Sequence, residues 1–172
     1  MADPNALDFL RIPSDALVAL DWRPYHFALQ PYHYLVRLAH VVSMGAFFGG
    51  VAALDLRLMG WRGTLPLRPF ADLLLPWLGV TFAVAIVSGL ALFFYDPVHV
   101  GSHAYFTLKL LLIALGMISA ALLRRSDAFA TDAPGVPSAY AKLIGAVSLA
   151  LWTGVVVCSS LNVEAVPKVL LR

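Results

Sequence analysis

Five histidines are the residues of this chain best suited to chemistry, and four long apolar segments determine where they lie. Imidazole is the commonest metal ligand among side chains and the usual axial ligand of haem iron. When the apolar segments are drawn as membrane-crossing helices, the histidines fall on or near one side of the bilayer: His26, His33, His40, His99 and His103. This placement predicts a metal or haem site on that side.

Three ionisable residues lie within the apolar segments themselves: Arg37, His40 and Lys109. An ionisable side chain at depth costs ~2.5–3.5 kcal/mol or more, so each needs a partner or a purpose. At about 1.5 Å per residue, His40 and Lys109 lie roughly 10 Å below the same surface. Arg37 and His40 are three apart and share a helix face. Two interpretations stay open for the cations, which either neutralise a bound anionic group or extend to the lipid headgroups. His40 either ligates a metal or bonds to a neighbouring helix.

Composition places the chain among integral membrane proteins. Of its 172 residues 60% are hydrophobic and 13% are charged, and its mean hydropathy is +0.81. A soluble domain of this length carries about 25% charged residues. The net charge of +2 comes without a basic cluster, so we expect no nucleic-acid partner. Cys158 is the only cysteine, which excludes an intramolecular disulfide and a CxxC motif.

The spacing of the apolar runs predicts an all-α, up-down bundle of four transmembrane helices, formed as a single membrane domain over residues 1–172. The helices are expected at about 32–58, 73–95, 103–123 and 139–161. The segment from Ala6 to Leu20 mixes apolar and acidic residues around Pro13, and we expect a short interfacial helix or docked tail there.

Basic residues predict the orientation of the bundle. They are concentrated after the first and third helices, at Arg57, Arg62, Arg68, Arg124, Arg125 and Lys142, whereas the loop 96–102 has none. Cytoplasmic loops carry the excess of Lys and Arg. We therefore predict a multi-pass protein of the bacterial inner membrane with both termini and the histidines in the periplasm. Asp55 and Arg57, near the inner end of the first helix, are expected to form a structural pair or cap.

Two helices carry a resemblance to known families. The stretch from Arg37 to Gly50 (RLAHVVSMGAFFGG) resembles the His-x(6–8)-aromatic-x-Gly pattern of the copper-resistance D (CopD-like) membrane proteins. The stretch from Phe106 to Leu115 is similar to a Lys-Leu-rich helix of that group. HemJ-type protoporphyrinogen oxidases look alike in both helices, and small four-helix bacterial proteins share the Leu54–Leu58 end (LDLRL). The similarity spans about residues 33–125.

The resemblance implies that His40 and Lys109 are the positions carried over. CopD-like proteins are associated with copper uptake across the inner membrane, and HemJ-type proteins with haem binding and porphyrin oxidation. This chain departs from both patterns. It has Phe47 and Phe48 where the motif has a tryptophan, and its third helix has no second buried histidine.

The leading hypothesis is a b-type haem near the periplasmic face, between the first and third helices. His40 is one axial ligand, His103 or His99 is the other, and Arg37 and Lys109 pair with the propionates. Gly45, Gly49 and Gly50 and the phenylalanines are expected to form an apolar slot for it. Such a haem carries electrons between quinone and a periplasmic redox protein.

Two alternatives belong to other classes. The first is binding or transport of copper by a cluster of His40, His103, His99 and His33, because imidazole suits Cu(II). Its partner is a metal-carrying periplasmic protein. The second is a non-catalytic subunit or anchor of a larger membrane complex or oligomer. The lipid bilayer is a partner in every case.

Overall fold

In the computed structural model, residues 8–62, 65–125 and 138–163 are described. The predicted loop 132–137, both chain ends and the first two residues of the N-terminal segment lie outside them. Throughout the described part the chain is helical and without strands. Its helices are α1 (Ser14–Ala19), α2 (Arg23–Leu29), α3 (His33–Leu58), α4 (Leu67–Tyr95), α5 (Pro97–Gly101), α6 (Ala104–Arg125) and α7 (Ala139–Val163).

Helices α3, α4, α6 and α7 are each long and apolar enough to cross a membrane, so the protein is a multi-pass, all-α membrane protein. The shortest, α6, has 22 residues, which at about 1.5 Å each exceeds the ~30 Å of a bilayer core. The predicted boundaries agree within about two residues except at α4. That helix begins at Leu67, directly after Pro66, rather than at 73, and its polar first turns carry an exposed i,i+4 ion pair between Arg68 and Asp72 (3.9 Å).

The four long helices do not contact each other equally. Helix α3 packs against α4 and α7, and α6 packs mainly against α7. In the middle of the bundle, the rings of Phe47, Phe82 and Trp152 pack with centroids 4.6 to 5.9 Å apart. Gly116 brings α6 against this cluster, since a Cβ there would lie 2.9 Å from the indole of Trp152. One aromatic layer, here called the central layer (Phe47, Phe82 and Trp152), therefore joins all four helices.

The expected glycine slot on α3 is not formed. Gly50 packs against Leu78 of α4, where a Cβ would lie 2.7 Å from Leu78 Cδ2. Gly45 and Gly49 are exposed, and a Cβ at either would meet nothing within 4 Å. At about 100° per residue these two positions lie roughly 140° and 180° around α3 from His40. They cannot line the face on which the histidine sits.

Short N-terminal helices dock onto one end of the bundle. This end, here called the histidine end, holds the start of α3, the end of α4, α5 and the start of α6. Helix α1 packs against α5, α2 against α4, and the turn Asp8–Leu10 against α6. Leu17 is only 1% exposed and fills the space beside Gly101, where a Cβ would meet its side chain at 2.5 Å. Of the two expected forms of this segment, the described residues adopt the docked one.

Candidate functional site

His40 is held in one orientation by α4. Its Nδ1 lies 2.9 Å from the carbonyl oxygen of Ala85 and 3.1 Å from Ser88 Oγ. A carbonyl oxygen can only accept, so Nδ1 carries the proton and donates it. The Ser88 hydroxyl donates its own proton to Val84 O at 2.6 Å, which leaves Oγ as a second acceptor for His40. In a neutral imidazole of this tautomer, Nε2 keeps its lone pair for a ligand.

Gly89 makes room for the imidazole. A Cβ at this position would lie 2.9 Å from His40 Cε1 and 3.3 Å from His40 Nδ1, closer than ordinary van der Waals contact. Only glycine lets the ring lie against the α4 backbone while its Nδ1 reaches Ala85. The pair Ser88-Gly89 therefore determines the pose of His40, and neither residue is among those predicted for the site. The sequence does contain a signal for Ser88. Its hydroxyl lies seven residues from the end of α4 and His40 lies seven from the start of α3, so in antiparallel helices the two side chains are at the same depth.

Lys109 is half-buried on α6. Its Nζ lies over the ring of Phe106, 5.2 Å from the centroid, and Phe106 in turn stacks on Phe93 of α4 (5.1 Å, 7° between planes). Side chains of a helix incline towards its N-terminus, which for α6 is the histidine end. A cation over an aromatic face gains about 0.5–2 kcal/mol. Lys109 makes no ion pair with any described carboxylate.

Counted from the histidine end, His40 is the eighth residue of α3 and Lys109 the sixth of α6, so the two residues lie at a similar depth in the bundle. The two side chains are near enough to interact electrostatically. Phe93 and Phe106, here called the end layer, lie nearer the histidine end, and the central layer lies about three helical turns deeper along α4. The two aromatic layers therefore enclose a level that holds an imidazole and an ammonium. This arrangement can bind a group that offers both a Lewis-acidic centre and a negative charge.

The remaining histidines lie at the same end in two other places. His26 and His33 stack on the ring of Tyr95, at 4.3 and 5.1 Å between centroids and 12° between planes. His26 Nδ1 also donates to the Tyr95 carbonyl oxygen at 2.8 Å. The rings of His99 and His103 are 5.8 Å apart at the start of α6. The sequence correctly indicated a shared end, but not this division into three places.

The predicted metal cluster is not gathered in the part of the chain that the structure describes. No three His, Cys, Asp or Glu side chains there are placed to hold one metal ion. His33 stacks on Tyr95. Arg37, which was expected to pair with a haem propionate and not with the metal, is exposed on α3. His103 precedes Phe106 on the chain and so lies closer to the end of the bundle than the end layer does. Burial, and then the charges of His99 and Arg11, lower the pKa of His103, so its imidazole is neutral at neutral pH.

Comparison of the chain with protein-family models, with curated proteins and with solved structures finds no match. The site is accordingly defined by the geometry of His40, Ser88, Gly89 and Lys109.

Proposed function

We propose that the protein binds a b-type haem between its end layer and its central layer, with His40 Nε2 as a ligand of the iron. The observation that carries this proposal is the hydrogen bond from His40 Nδ1 to the Ala85 carbonyl (2.9 Å). Histidines that bind metal almost always donate their other ring N–H to a carbonyl, carboxylate or water, which fixes both the tautomer and the ring orientation. His40 has this arrangement before any metal arrives.

Lys109 supports haem over a bare metal ion. An ammonium at this depth is costly without an anion, and no described carboxylate pairs with it. A haem propionate supplies that anion, and Phe106 and Phe93 supply apolar ring faces at the same place. When bound, haem supplies one-electron redox chemistry. The role of the protein is to orient the ligand imidazole, to neutralise a propionate and to exclude water with its aromatic layers.

His103 is not proposed as a second residue that would hold the iron, although the sequence suggested it. His103 lies closer to the end of the bundle than Phe106, and it contacts His99 rather than the level of His40. We propose one protein ligand to the iron. A haem held there would exchange electrons between a quinol in the bilayer and a partner protein at the histidine end, which in this proposal faces the periplasm of a bacterial inner membrane. The basic residues of the opposite end support this orientation.

Purification from cells supplied with haem tests the proposal. We expect a Soret band in the wild-type protein and in His33→Ala, and its loss in His40→Ala. His33→Ala is a matched control because it removes an imidazole from the same helix, one that stacks on Tyr95 instead. A colourless wild-type protein would refute haem binding. Metal analysis of the same samples separates the copper alternative, in which the wild type contains copper and no haem and His40→Ala contains neither.

A further inference from the structure

Asp55 is a buried carboxyl for which haem binding offers no role. It lies on α3, fifteen residues from His40, or about 22 Å along the helix at 1.5 Å per residue. Its side chain belongs to the opposite end of the bundle and the residue is 2% exposed. Ser148 on α7 is the polar side chain near the carboxyl, and Oδ2 has no hydrogen-bond partner among the described residues.

Within the described residues no ion pair joins a cation to Asp55, so of the pair or cap expected from Asp55 and Arg57, the pair is not formed. Residues two apart point to different sides of a helix. Arg57 is turned to the connection before α4, where both Nε (2.7 Å) and Nη2 donate to the carbonyl oxygen of Leu65. Lys142 of α7 extends towards Gly60 instead. The other charged side chains of the described part at this end are exposed: Arg62, Arg68, Asp72, Arg124 and Arg125.

The close packing of α7 on α3 excludes water from Asp55. At Gly145 a Cβ would lie 2.9 Å from the Asp55 carbonyl oxygen and 3.0 Å from Leu58 Cβ, so the two backbones are in direct contact. An ionised carboxylate buried without a paired cation loses its hydration and gains nothing in return. The neutral acid avoids this cost, and its O–H can donate where a carboxylate can only accept.

We propose that Asp55, with Ser148, is a proton-binding site in the half of the bundle opposite the histidines. The proton is the ligand that the geometry favours, because a hard metal cation takes six or more oxygens and this place offers one carboxyl and one hydroxyl. The site lies within three residues of the end of α3, so its proton exchanges with the membrane face at that end. This inference is independent of the proposed haem.

Infrared spectroscopy of the full chain in lipid nanodiscs tests the proposal. A protonated carboxyl has a carbonyl stretch separate from those of carboxylates and amides, and exposed Asp and Glu are ionised at neutral pH. We expect this band in the wild type at neutral pH, with a downshift on exchange into deuterated buffer. Asp55→Asn should abolish it. Asp72→Asn, which changes an exposed carboxyl at the same end of the bundle, should leave it intact.

A second variant keeps the test decisive if Asp55→Asn does not fold. Asp55→Glu retains a protonatable group in a changed position, so the band should persist at a shifted frequency. A wild-type spectrum without the band at neutral pH would overturn the proposal. So would a band that neither Asp55 variant alters, because it would belong to another carboxyl. The haem content of Asp55→Asn should equal that of the wild type, which separates failure here from failure of the haem proposal.

Discussion

Replacing Gly89 with alanine tests whether the pose of His40 matters for binding. The added Cβ would lie 2.9 Å from His40 Cε1, so the ring must retreat by about 0.5 Å to regain an ordinary contact of 3.4 Å. That movement strains or breaks the bonds from Nδ1 to Ala85 O (2.9 Å) and to Ser88 Oγ (3.1 Å). Loss of a partner that orients a metal-binding histidine typically weakens metal affinity by about 10- to 100-fold. At 1.4 kcal/mol per tenfold, we expect a loss of about 1.4–2.8 kcal/mol in haem binding.

Gly79→Ala is the matched control on the same helix, because a Cβ there meets nothing within 4 Å. Alanine stabilises a helix by up to ~1 kcal/mol relative to glycine, so this variant should melt at an equal or higher temperature and bind haem normally. The assay is titration of apoprotein in detergent with haem, followed by the Soret absorbance, together with a melting curve for each variant. Equal haem affinity of Gly89→Ala and the wild type would refute the argument that α4 positions the ligand.

Further substitutions and a topology assay test the other parts of the site. Lys109→Met keeps the packing of the side-chain stem but leaves a propionate unpaired, a loss of about 3–5 kcal/mol, so haem affinity should fall by roughly two to three and a half powers of ten. An unchanged affinity would mean that Lys109 interacts only with Phe106 and the lipid headgroups. His103→Ala should leave the haem spectrum unchanged, and a change in iron spin state would instead make His103 a ligand. A reporter that is active only in the cytoplasm should be active when fused near Arg62 and inactive when fused at the C-terminus. The reverse pattern would mean that the orientation is inverted.

The membrane helices could be predicted from the sequence because one physical requirement dominates them. A span must be apolar over about 20 residues, and α3, α6 and α7 satisfy this almost to their ends. The start of α4 was missed because its first turns carry Arg68 and Asp72, which hydropathy counts as loop but which pair along the helix surface. Charged residues can occupy the end of a membrane-spanning helix when their side chains reach the membrane surface.

The site could be predicted only in part. The depths of His40 and Lys109 follow from counting residues, and the two side chains are near enough to interact electrostatically. The hydrogen-bond partners of His40 were not predicted, because they depend on which helix packs against that face of α3. The structure places α4 there, with Ser88 and Gly89, whereas the small residues at Gly45 and Gly49 suggested another face. Rotation about a helix axis is fixed by tertiary packing, which one sequence reveals poorly.

Leu17 has a consequence for the electrical environment of the site. Its side chain closes the bundle beside Gly101, where Phe93 is also within contact of the same point. The docked N-terminal helices thus cover the end layer at the histidine end, and they keep the surroundings of His40 and Lys109 at low dielectric. A chain shortened past Leu17 would admit water beside Phe93, weaken every charge interaction beneath it and shift the midpoint potential of any redox group bound there. The N-terminal segment therefore helps to shield the site from water.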